Sequence, residues 1–305
     1  MPRFGVYLPN VEWDYLPGPE ALADYAVAAE ELGFHSVWVE DRLLHSRVGI
    51  LEALTTLTYV AGRTHRIQLG SSVLLVNLRN PLVLAKTLST LDYLSNGRVI
   101  CGVSLGGRPE EYQTAGVAMD KRVTRFLETL RALRALWGQG SWEGVSREFQ
   151  PTDLEMLPKP VQPRIPLWIG GRAEAVHRRV ATLGDGWLAP STMTSEEFAL
   201  GWASIKQRAT EAGRDIGELT PAKFCYVHVD ESSERALDTL KAALPKYYDF
   251  PYDPTDLAIY GPPSRCAEAA QAILDAGVET LIFATVTSDI GQLERLAREV
   301  IPALR

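Results

Sequence analysis

Two glycines and an arginine, Gly170, Gly171 and Arg172, stand where a short apolar run passes into a helical pattern. The run Ile165–Ile169 carries no charge and predicts a buried strand, while Ala173–Leu183 repeats apolar side chains at helical spacing. A glycine turn before a helix N-terminus presents backbone N–H groups and a partial positive charge to an anion. Arg172 adds a planar guanidinium that suits phosphate oxygens. The same residues also fit an ordinary turn in which glycine relieves strain, so the pattern alone leaves both interpretations open.

The elements that must position this turn follow a repeated order of helix, glycine, short apolar strand and polar loop. Eight candidate strands begin near residues 3, 36, 66, 98, 166, 186, 223 and 280. Helical patterns separate nearly all of them. In a chain of 305 residues, this alternation favours an α/β fold built as a closed (β/α)8 TIM barrel over a doubly wound sheet. We treat residues 1–305 as one such domain.

Two segments interrupt the alternation. Gln139–Pro166 lies between strands four and five, has little periodicity and is rich in proline near its end. Tyr247–Pro263 follows strand seven and is rich in Tyr, Pro and Asp. We expect both to be insertions, the second lying over the barrel mouth. Because barrel enzymes place their chemistry at the C-terminal ends of the strands, the residues directly after each strand are the candidates for function.

The bulk composition excludes several classes of partner. The net charge is −7, from 31 basic and 38 acidic residues, and no predicted face gathers Lys and Arg, so nucleic acid is not expected to bind. Three widely spaced cysteines indicate reduced, buried thiols without a metal or disulfide framework. The sequence shows no signal peptide and no apolar run long enough to span a bilayer, so we expect a cytoplasmic protein.

Several segments, in order along nearly the whole chain, resemble the luciferase-like monooxygenase family, the barrel group that contains bacterial luciferase and the deazaflavin-dependent oxidoreductases. No single motif is decisive, but the set is consistent in order and spacing. The matching segments are Ala28–Asp41, Thr64–Val73, Pro81–Ala85, Thr90–Arg98, Gly102–Gly107, Ile165–Trp187 and Gly261–Phe283.

The resemblance implies a barrel that binds a flavin-type ring, either reduced FMN or the deazaflavin coenzyme F420. It places the cofactor phosphate at Gly170, Gly171 and Arg172, with Gly106 and Gly107 lining the same mouth. Ser72–Val73 matches a position where deazaflavin members often have a non-prolyl cis peptide bond, which would support one face of the ring. The alternative is that Ser71 and Ser72 are plain strand residues.

The chain departs from the family pattern after strand two. Many members have Asp-His there, whereas here Asp41 is followed by Arg42. His45 lies three residues further on and is a candidate to replace the missing histidine, or Arg42 could instead stabilise an anionic ring or substrate. Asp41 would accept a hydrogen bond from the ring, position Arg42 or cap a turn. Asp41, Arg42 and His45 are therefore the catalytic candidates.

Two further groups have both a functional and a structural interpretation. Arg79 stands where many members have Arg-His-Pro, and it would bind an anionic substrate or, as we favour, pair with a carboxylate at the surface. The aromatic residues of the second insertion would form a lid over an apolar substrate or a local packing cluster; they are Tyr247, Tyr248, Phe250 and Tyr252.

Three functions follow from these observations. The first is hydride transfer between F420 and a small organic substrate, which the compact length and the Gly70–Val73 context favour. The second is an oxygen-using monooxygenase with reduced FMN, and the third is a barrel that binds a flavin or other ligand without turnover. A metal-dependent hydrolase is disfavoured because the histidines are few and misplaced, and we expect no metal. The family resemblance also implies a homodimer.

Overall fold

The computed structural model describes residues 1–143, 145 and 155–304. Its strands and helices alternate along most of the chain. The strands are β1 Arg3–Tyr7, β2 Ser36–Val39, β3 Gln68–Ser71, β4 Leu74–Leu75, β5 Val99–Ser104, β6 Leu167–Gly170, β7 Gly186–Ala189, β8 Thr220–Val229, β9 Ile259–Gly261 and β10 Thr280–Thr285. The α-helices are α1 Pro19–Glu31, α2 Ala53–Ala61, α3 Pro81–Leu94, α4 Pro109–Thr114, α5 Arg122–Trp137, α6 Glu174–Leu183, α7 Ser195–Glu211, α8 Ser233–Tyr247, α9 Pro263–Asp275 and α10 Ile290–Arg295.

Eight of these strands close a parallel barrel. Their order around the ring is β1, β2, β3, β5, β6, β7, β8 and β10, and β10 pairs with both β8 and β1. The short strands β4 and β9 pair with β5 and β8. The barrel strands are the eight that the sequence predicts, so the (β/α)8 barrel is confirmed. In the described part of the chain, no helix is long and apolar enough to cross a membrane.

Helix ends follow local sequence signals. Asn80 caps α3 by accepting hydrogen bonds from the N–H groups of Leu82 and Val83. The helix stops before Asn96 and Gly97, whose φ angles of 55° and 79° lie in the left-handed region that glycine and asparagine tolerate. Helix α2 begins at Ala53 because the Glu52 carboxylate accepts the Thr55 N–H and fixes the start of the helix.

The interior of the barrel is aromatic. The rings of Trp38 and Trp168 lie 5.3 Å apart inside it, and their fit depends on glycine in neighbouring strands. A Cβ at Gly70 would lie 2.3 Å from the Trp38 ring, and one at Gly186 would lie 2.6 Å from Trp168. Since these contacts are too short for any Cβ, the two glycines are required for the interior packing.

The structure describes the two predicted insertions to different extents. In Gln139–Pro166, residues 144 and 146–154 lie outside the described residues. Residues 155–166 have neither helix nor strand and are tied to α3, where the Asp92 carboxylate accepts the N–H groups of Val161 and Gln162 at 2.8 and 3.0 Å. In the second segment, Tyr247 is the last residue of α8, residues 248–258 are irregular, and β9 follows.

Candidate active site

The barrel mouth is the edge of the sheet where the parallel strands end, and it gathers side chains that are far apart in the sequence. Tyr7 is the last residue of β1, Glu40 follows β2, Ser72 follows β3 and Gly170 is the last residue of β6. Because all the barrel strands are parallel, these positions share one end of the barrel. The residues that the sequence analysis selected for function after strands two, three, four and five therefore surround one opening.

The chain after β3 has the backbone conformation that the resemblance implies. The peptide bond between Ser72 and Val73 is cis, which confirms the predicted conformation. Ser72 is bound by a neighbouring strand, since the Tyr7 hydroxyl lies 2.5 Å from its Oγ and 3.1 Å from its carbonyl oxygen. Val73 packs against β6, where a Cβ at Gly170 would lie 2.8 Å from Val73 Cγ1. Glycine at position 170 therefore allows Val73 to occupy the mouth.

The predicted phosphate turn lies between β6 and α6. Gly171 has a φ angle of 131° and accepts a 2.8 Å hydrogen bond from the Trp187 indole at its carbonyl oxygen. The N-cap of α6, Ala173, gives no side-chain hydrogen bond to the first turn. Arg172 is exposed, with one nitrogen 3.2 Å from a Glu197 oxygen. The predicted phosphate turn therefore joins a strand to a helix whose first turn has no side-chain cap, and the Arg172 cation lies beside it.

A second glycine pair lies after β5. Gly106 has a φ angle of 72°, and a Cβ there would lie 3.3 Å from Leu75. A Cβ at Gly107 would meet no heavy atom within 4 Å, so its backbone faces open space. The two loops predicted to line the cofactor site therefore present short, glycine-based backbone at the mouth.

Asp41 turns away from the mouth towards α2 and α3. Its two oxygens accept from the Arg79 guanidinium at 2.7 and 2.8 Å, and Oδ2 also accepts the Leu75 N–H at 2.7 Å. The Asp41 side chain is 1% exposed and that of Arg79 14% exposed. Arg79 also binds Glu52 at 2.9 Å. Our expectation that Arg79 pairs with a carboxylate is confirmed, but its principal partner is buried rather than at the surface.

His45 has both ring nitrogens engaged. Nδ1 accepts the backbone N–H groups of Arg47 and Val48 at 3.2 and 3.1 Å, so the ring hydrogen is on Nε2. Nε2 lies 3.0 Å from the Tyr247 carbonyl oxygen, and the His45 ring stacks on the Tyr247 ring at 5.6 Å. The histidine therefore joins the loop after β2 to the end of α8.

Arg42 faces the mouth with its hydrogen-bonding capacity unused. Its guanidinium carbon lies 5.6 Å from the centre of the Tyr247 ring. Nε and Nη1 are both buried and have no hydrogen-bond partner among the described residues. The same Tyr247 bonds Glu40 through its hydroxyl, whereas the intervening Asp41 pairs with Arg79.

Glu40 lies among the strand-end residues that the sequence marks as candidates, but it is not one of the three predicted catalytic residues. The Asn10 side-chain amide fixes its backbone, accepting from Glu40 N at 3.1 Å and donating to Glu40 O at 2.9 Å. The Tyr247 hydroxyl donates to Oε2 at 3.1 Å. Desolvation raises the pKa of the carboxyl to about 7, against the opposing effects of the Tyr247 hydrogen bond and the Arg42 charge. A carboxyl with this pKa can both donate and accept a proton at neutral pH.

Tyrosines form the wall of the mouth next to Glu40. The hydroxyls of Tyr226 and Tyr248 lie 3.0 Å apart, and the Tyr248 ring stacks on Tyr252 at 4.7 Å. Burial raises the pKa of Tyr7, Tyr226 and Tyr247, so these hydroxyls stay protonated. The aromatic residues of the second insertion are thus joined to the barrel interior, and Tyr247 and Tyr248 reach the groups at the mouth.

The segment 248–252 is attached to the barrel on two sides by one carboxylate. Asp249 binds Arg47, in the loop after β2, at 2.6 Å, and its other oxygen contacts Arg108, in the loop after β5. We call this segment the strap. Among the described residues, no group of three His, Cys, Asp or Glu side chains that could hold a metal ion was found.

Known proteins share both the sequence and the fold. The F420-dependent glucose-6-phosphate dehydrogenase of Kineococcus radiotolerans is 28% identical, over 94% of this chain and 94% of that protein. An F420-dependent secondary alcohol dehydrogenase, solved with an F420-acetone adduct, superposes over 100% of this chain and 99% of its own, with a TM-score of 0.82 and 19% identity. The monooxygenase RslO1 of Streptomyces bottropensis matches over 98% of this chain and 99% of its own, with a TM-score of 0.81 and 22% identity. The two structural matches show a common fold.

Family membership rests on the sequence match. The family model described as luciferase-like monooxygenase matches residues 1–277, which include all the strand ends at the mouth up to β9. The resemblance inferred from separate segments is thereby confirmed, and the chain belongs to the luciferase-like monooxygenase family.

Proposed function

We propose that this protein is an F420-dependent oxidoreductase that transfers a hydride between F420 and a small organic substrate. Relatives aligned over 94% of the chain are named F420-dependent glucose-6-phosphate dehydrogenases, which supports the choice of F420 as cofactor. The observation that carries the proposal is the Glu40 carboxyl at the barrel mouth, with its pKa of about 7. Hydride transfer to or from an alcohol needs a group that takes or returns the hydroxyl proton at neutral pH.

The residues at the mouth fit a phosphorylated deazaflavin. The uncapped start of α6 and the turn Gly170–Arg172 suit a phosphate, and the open backbone at Gly107 leaves room for a bound group. We propose that Ser72 and Val73 support the ring, as the resemblance implies, with Gly106 beside them. When bound, F420 supplies a ring carbon that accepts or releases a hydride.

The chain's own contribution to the reaction is proton transfer and position. In the oxidation direction, Glu40 takes the hydroxyl proton of the substrate, and in reduction it returns that proton to the carbonyl oxygen. Asn10 fixes the backbone of Glu40, and Tyr247 directs its carboxyl through the 3.1 Å hydrogen bond. The tyrosine wall excludes water from the carboxyl and so keeps its pKa near neutrality.

The three catalytic candidates take different roles in this proposal. Arg42 faces the substrate. Asp41 is a positioning residue, since it holds Leu75 N and Arg79 and thereby fixes the chain that follows Ser72–Val73. His45 is also a positioning residue, because its nitrogens bind the backbone of its own loop and of Tyr247.

We further propose that the protein acts as a homodimer, as the resemblance implies. The outer face of α3 exposes apolar side chains that a second subunit would cover, and sedimentation equilibrium tests the assembly. The exposed residues are Leu82, Val83, Tyr93 and Leu94.

The test is a titration with F420 and with FMN, followed by ring absorbance and fluorescence. We expect micromolar binding of F420 and weaker binding of FMN. Arg172→Ala should weaken F420 binding about tenfold, since one charge-assisted contact to phosphate is lost. Arg298→Ala is the matched control, because Arg298 is also exposed and pairs with one glutamate, Glu294, at 3.3 Å. Tighter binding of FMN than of F420 would instead support a monooxygenase, and binding of neither would contradict the proposal.

A further inference from the structure

Arg42 differs from the other arginines around the mouth. Arg79 pairs with Asp41 and Glu52, and Arg47 and Arg108 share Asp249. Arg42 forms no ion pair with a described residue, and its buried Nε and Nη1 have no hydrogen-bond partner. A buried donor without a partner is unfavourable, and a buried charge without one is more so. A ligand that carries an acceptor would remove this cost.

The described residues around Arg42 provide the face of an aromatic ring but no hydrogen-bond acceptor for its buried Nε and Nη1. The guanidinium lies over the Tyr247 ring at 5.6 Å, and this contact stabilises a cation without using its N–H groups. The Arg42 charge acts electrostatically on Glu40, whose pKa is near neutrality, and no hydrogen bond or ion pair joins the two described side chains. A proton-transferring group and an unpaired cation therefore both contact Tyr247 at the barrel mouth.

We propose that Arg42 binds the carboxylate of the substrate, and that this substrate is a small organic acid with a hydroxyl or carbonyl group next to the carboxylate. The inference rests on the proposed function and names the substrate class of the same site. The planar guanidinium matches a carboxylate in a two-point contact, while Glu40 bonds the neighbouring oxygen. This class comprises 2-hydroxy acids and the corresponding 2-oxo acids.

Charge balance favours a carboxylate over a phosphate ester at this position. One carboxylate neutralises the single charge of Arg42, because the other arginines at the mouth already have acidic partners. A phosphate dianion would leave excess negative charge beside Glu40 and the tyrosine hydroxyls, where desolvation already disfavours an anion. The named substrate of the relatives, glucose 6-phosphate, is therefore not expected to bind through Arg42.

The experiment measures the binding of pyruvate and benzoylformate by calorimetry, each beside its uncharged primary amide. The titrations use the full chain, alone and with saturating oxidised F420, so that no turnover occurs. Wild type should bind each acid at least tenfold more tightly than its amide. Arg42→Gln should weaken the binding of the acids by about 10- to 100-fold and leave the binding of the amides unchanged. Arg42→Lys should recover part of the difference, and the matched control Arg298→Gln should have no effect.

The melting temperature of the Arg42→Gln variant distinguishes an arginine that binds a ligand from one that stabilises the fold. Since Arg42 is unpaired in the free protein, Arg42→Gln should leave the melting temperature unchanged or raise it, whereas loss of a structural contact would lower it. Equal binding of acids and amides, an unchanged ratio in Arg42→Gln, or tighter binding of glucose 6-phosphate than of the acids through Arg42 would overturn the proposal. So would a loss of F420 affinity in Arg42→Gln with acid binding intact, since Arg42 would then belong to the cofactor. Failure of F420 to bind wild type at all would contradict the proposed function separately.

Discussion

The Tyr247 hydroxyl donates to Glu40 Oε2 at 3.1 Å and thereby joins the end of α8 to the end of β2 across the barrel mouth. The ring of the same tyrosine lies beneath the Arg42 guanidinium and against the His45 imidazole. Tyr247 is thus the common contact of the proton-transferring carboxyl, the unpaired cation and the histidine of the loop after β2. Its burial and its three contacts account for the positions of all three groups.

Glu40→Gln should reduce hydride transfer by about 10²- to 10⁴-fold, because the amide keeps the shape and the Tyr247 contact but cannot take up a proton. F420 affinity should stay within about twofold of wild type, since Glu40 does not lie in the proposed phosphate turn. Single-turnover absorbance and an F420 titration measure the two effects. An equally active variant would remove Glu40 from the reaction.

The pKa of Glu40 also predicts how stability depends on pH. The folded state raises this pKa from 4.5 to about 7, so the protonated carboxyl favours folding. The contribution of the protonated carboxyl to the free energy of unfolding is complete below pH 4.5 and is lost as the pH rises through about 7. The charged or titratable groups that interact with it are Tyr247, Arg42 and Asp41, together with Tyr7, Tyr226 and Tyr248. The melting temperature of Glu40→Gln should therefore rise relative to wild type between pH 5 and pH 8, and a constant difference would show that the pKa is not raised.

Asp41→Asn should lower the free energy of unfolding by about 3 kcal/mol, because it leaves the buried Arg79 guanidinium without its main counter-charge. Urea denaturation measures the change. The matched control is Glu52→Gln, which removes the more exposed partner of the same arginine and should change stability by less than about 1 kcal/mol. If the two variants are equally stable, the buried pair does not support the chain after β3.

Asp249→Asn should free the strap from Arg47 and Arg108. We expect faster cleavage by chymotrypsin after Tyr248 and Tyr252 of the strap, with little change in global stability, because both ion pairs are partly exposed. The control is Asp253→Asn, since the Asp253 carboxylate is exposed and bonds to Thr255 nearby in the chain. Equal cleavage of the two variants would show that Asp249 does not hold the strap.

The architecture and the site differ in how far they follow from local sequence. Each barrel strand is a short apolar run bounded by turn residues, so the eight strands are readable from neighbouring residues, whereas the cis bond at Ser72–Val73 was implied only by the family resemblance. Glu40 is not readable in this way, because its pKa is raised by burial in the folded barrel, and the tyrosine that bonds its carboxyl lies 207 positions away. The same holds for Asp41, whose partner is 38 positions away and covers it from solvent.

The most direct test of the account follows the reoxidation of chemically reduced F420 by the enzyme without oxygen. The reduced cofactor is mixed with wild type and with Glu40→Gln in the presence of pyruvate or benzoylformate, and the absorbance of the oxidised ring is recorded. We predict that the absorbance returns only when a carbonyl substrate and wild-type enzyme are both present, and that Glu40→Gln suppresses it. A reaction that proceeds only with reduced FMN and oxygen would contradict the central claim.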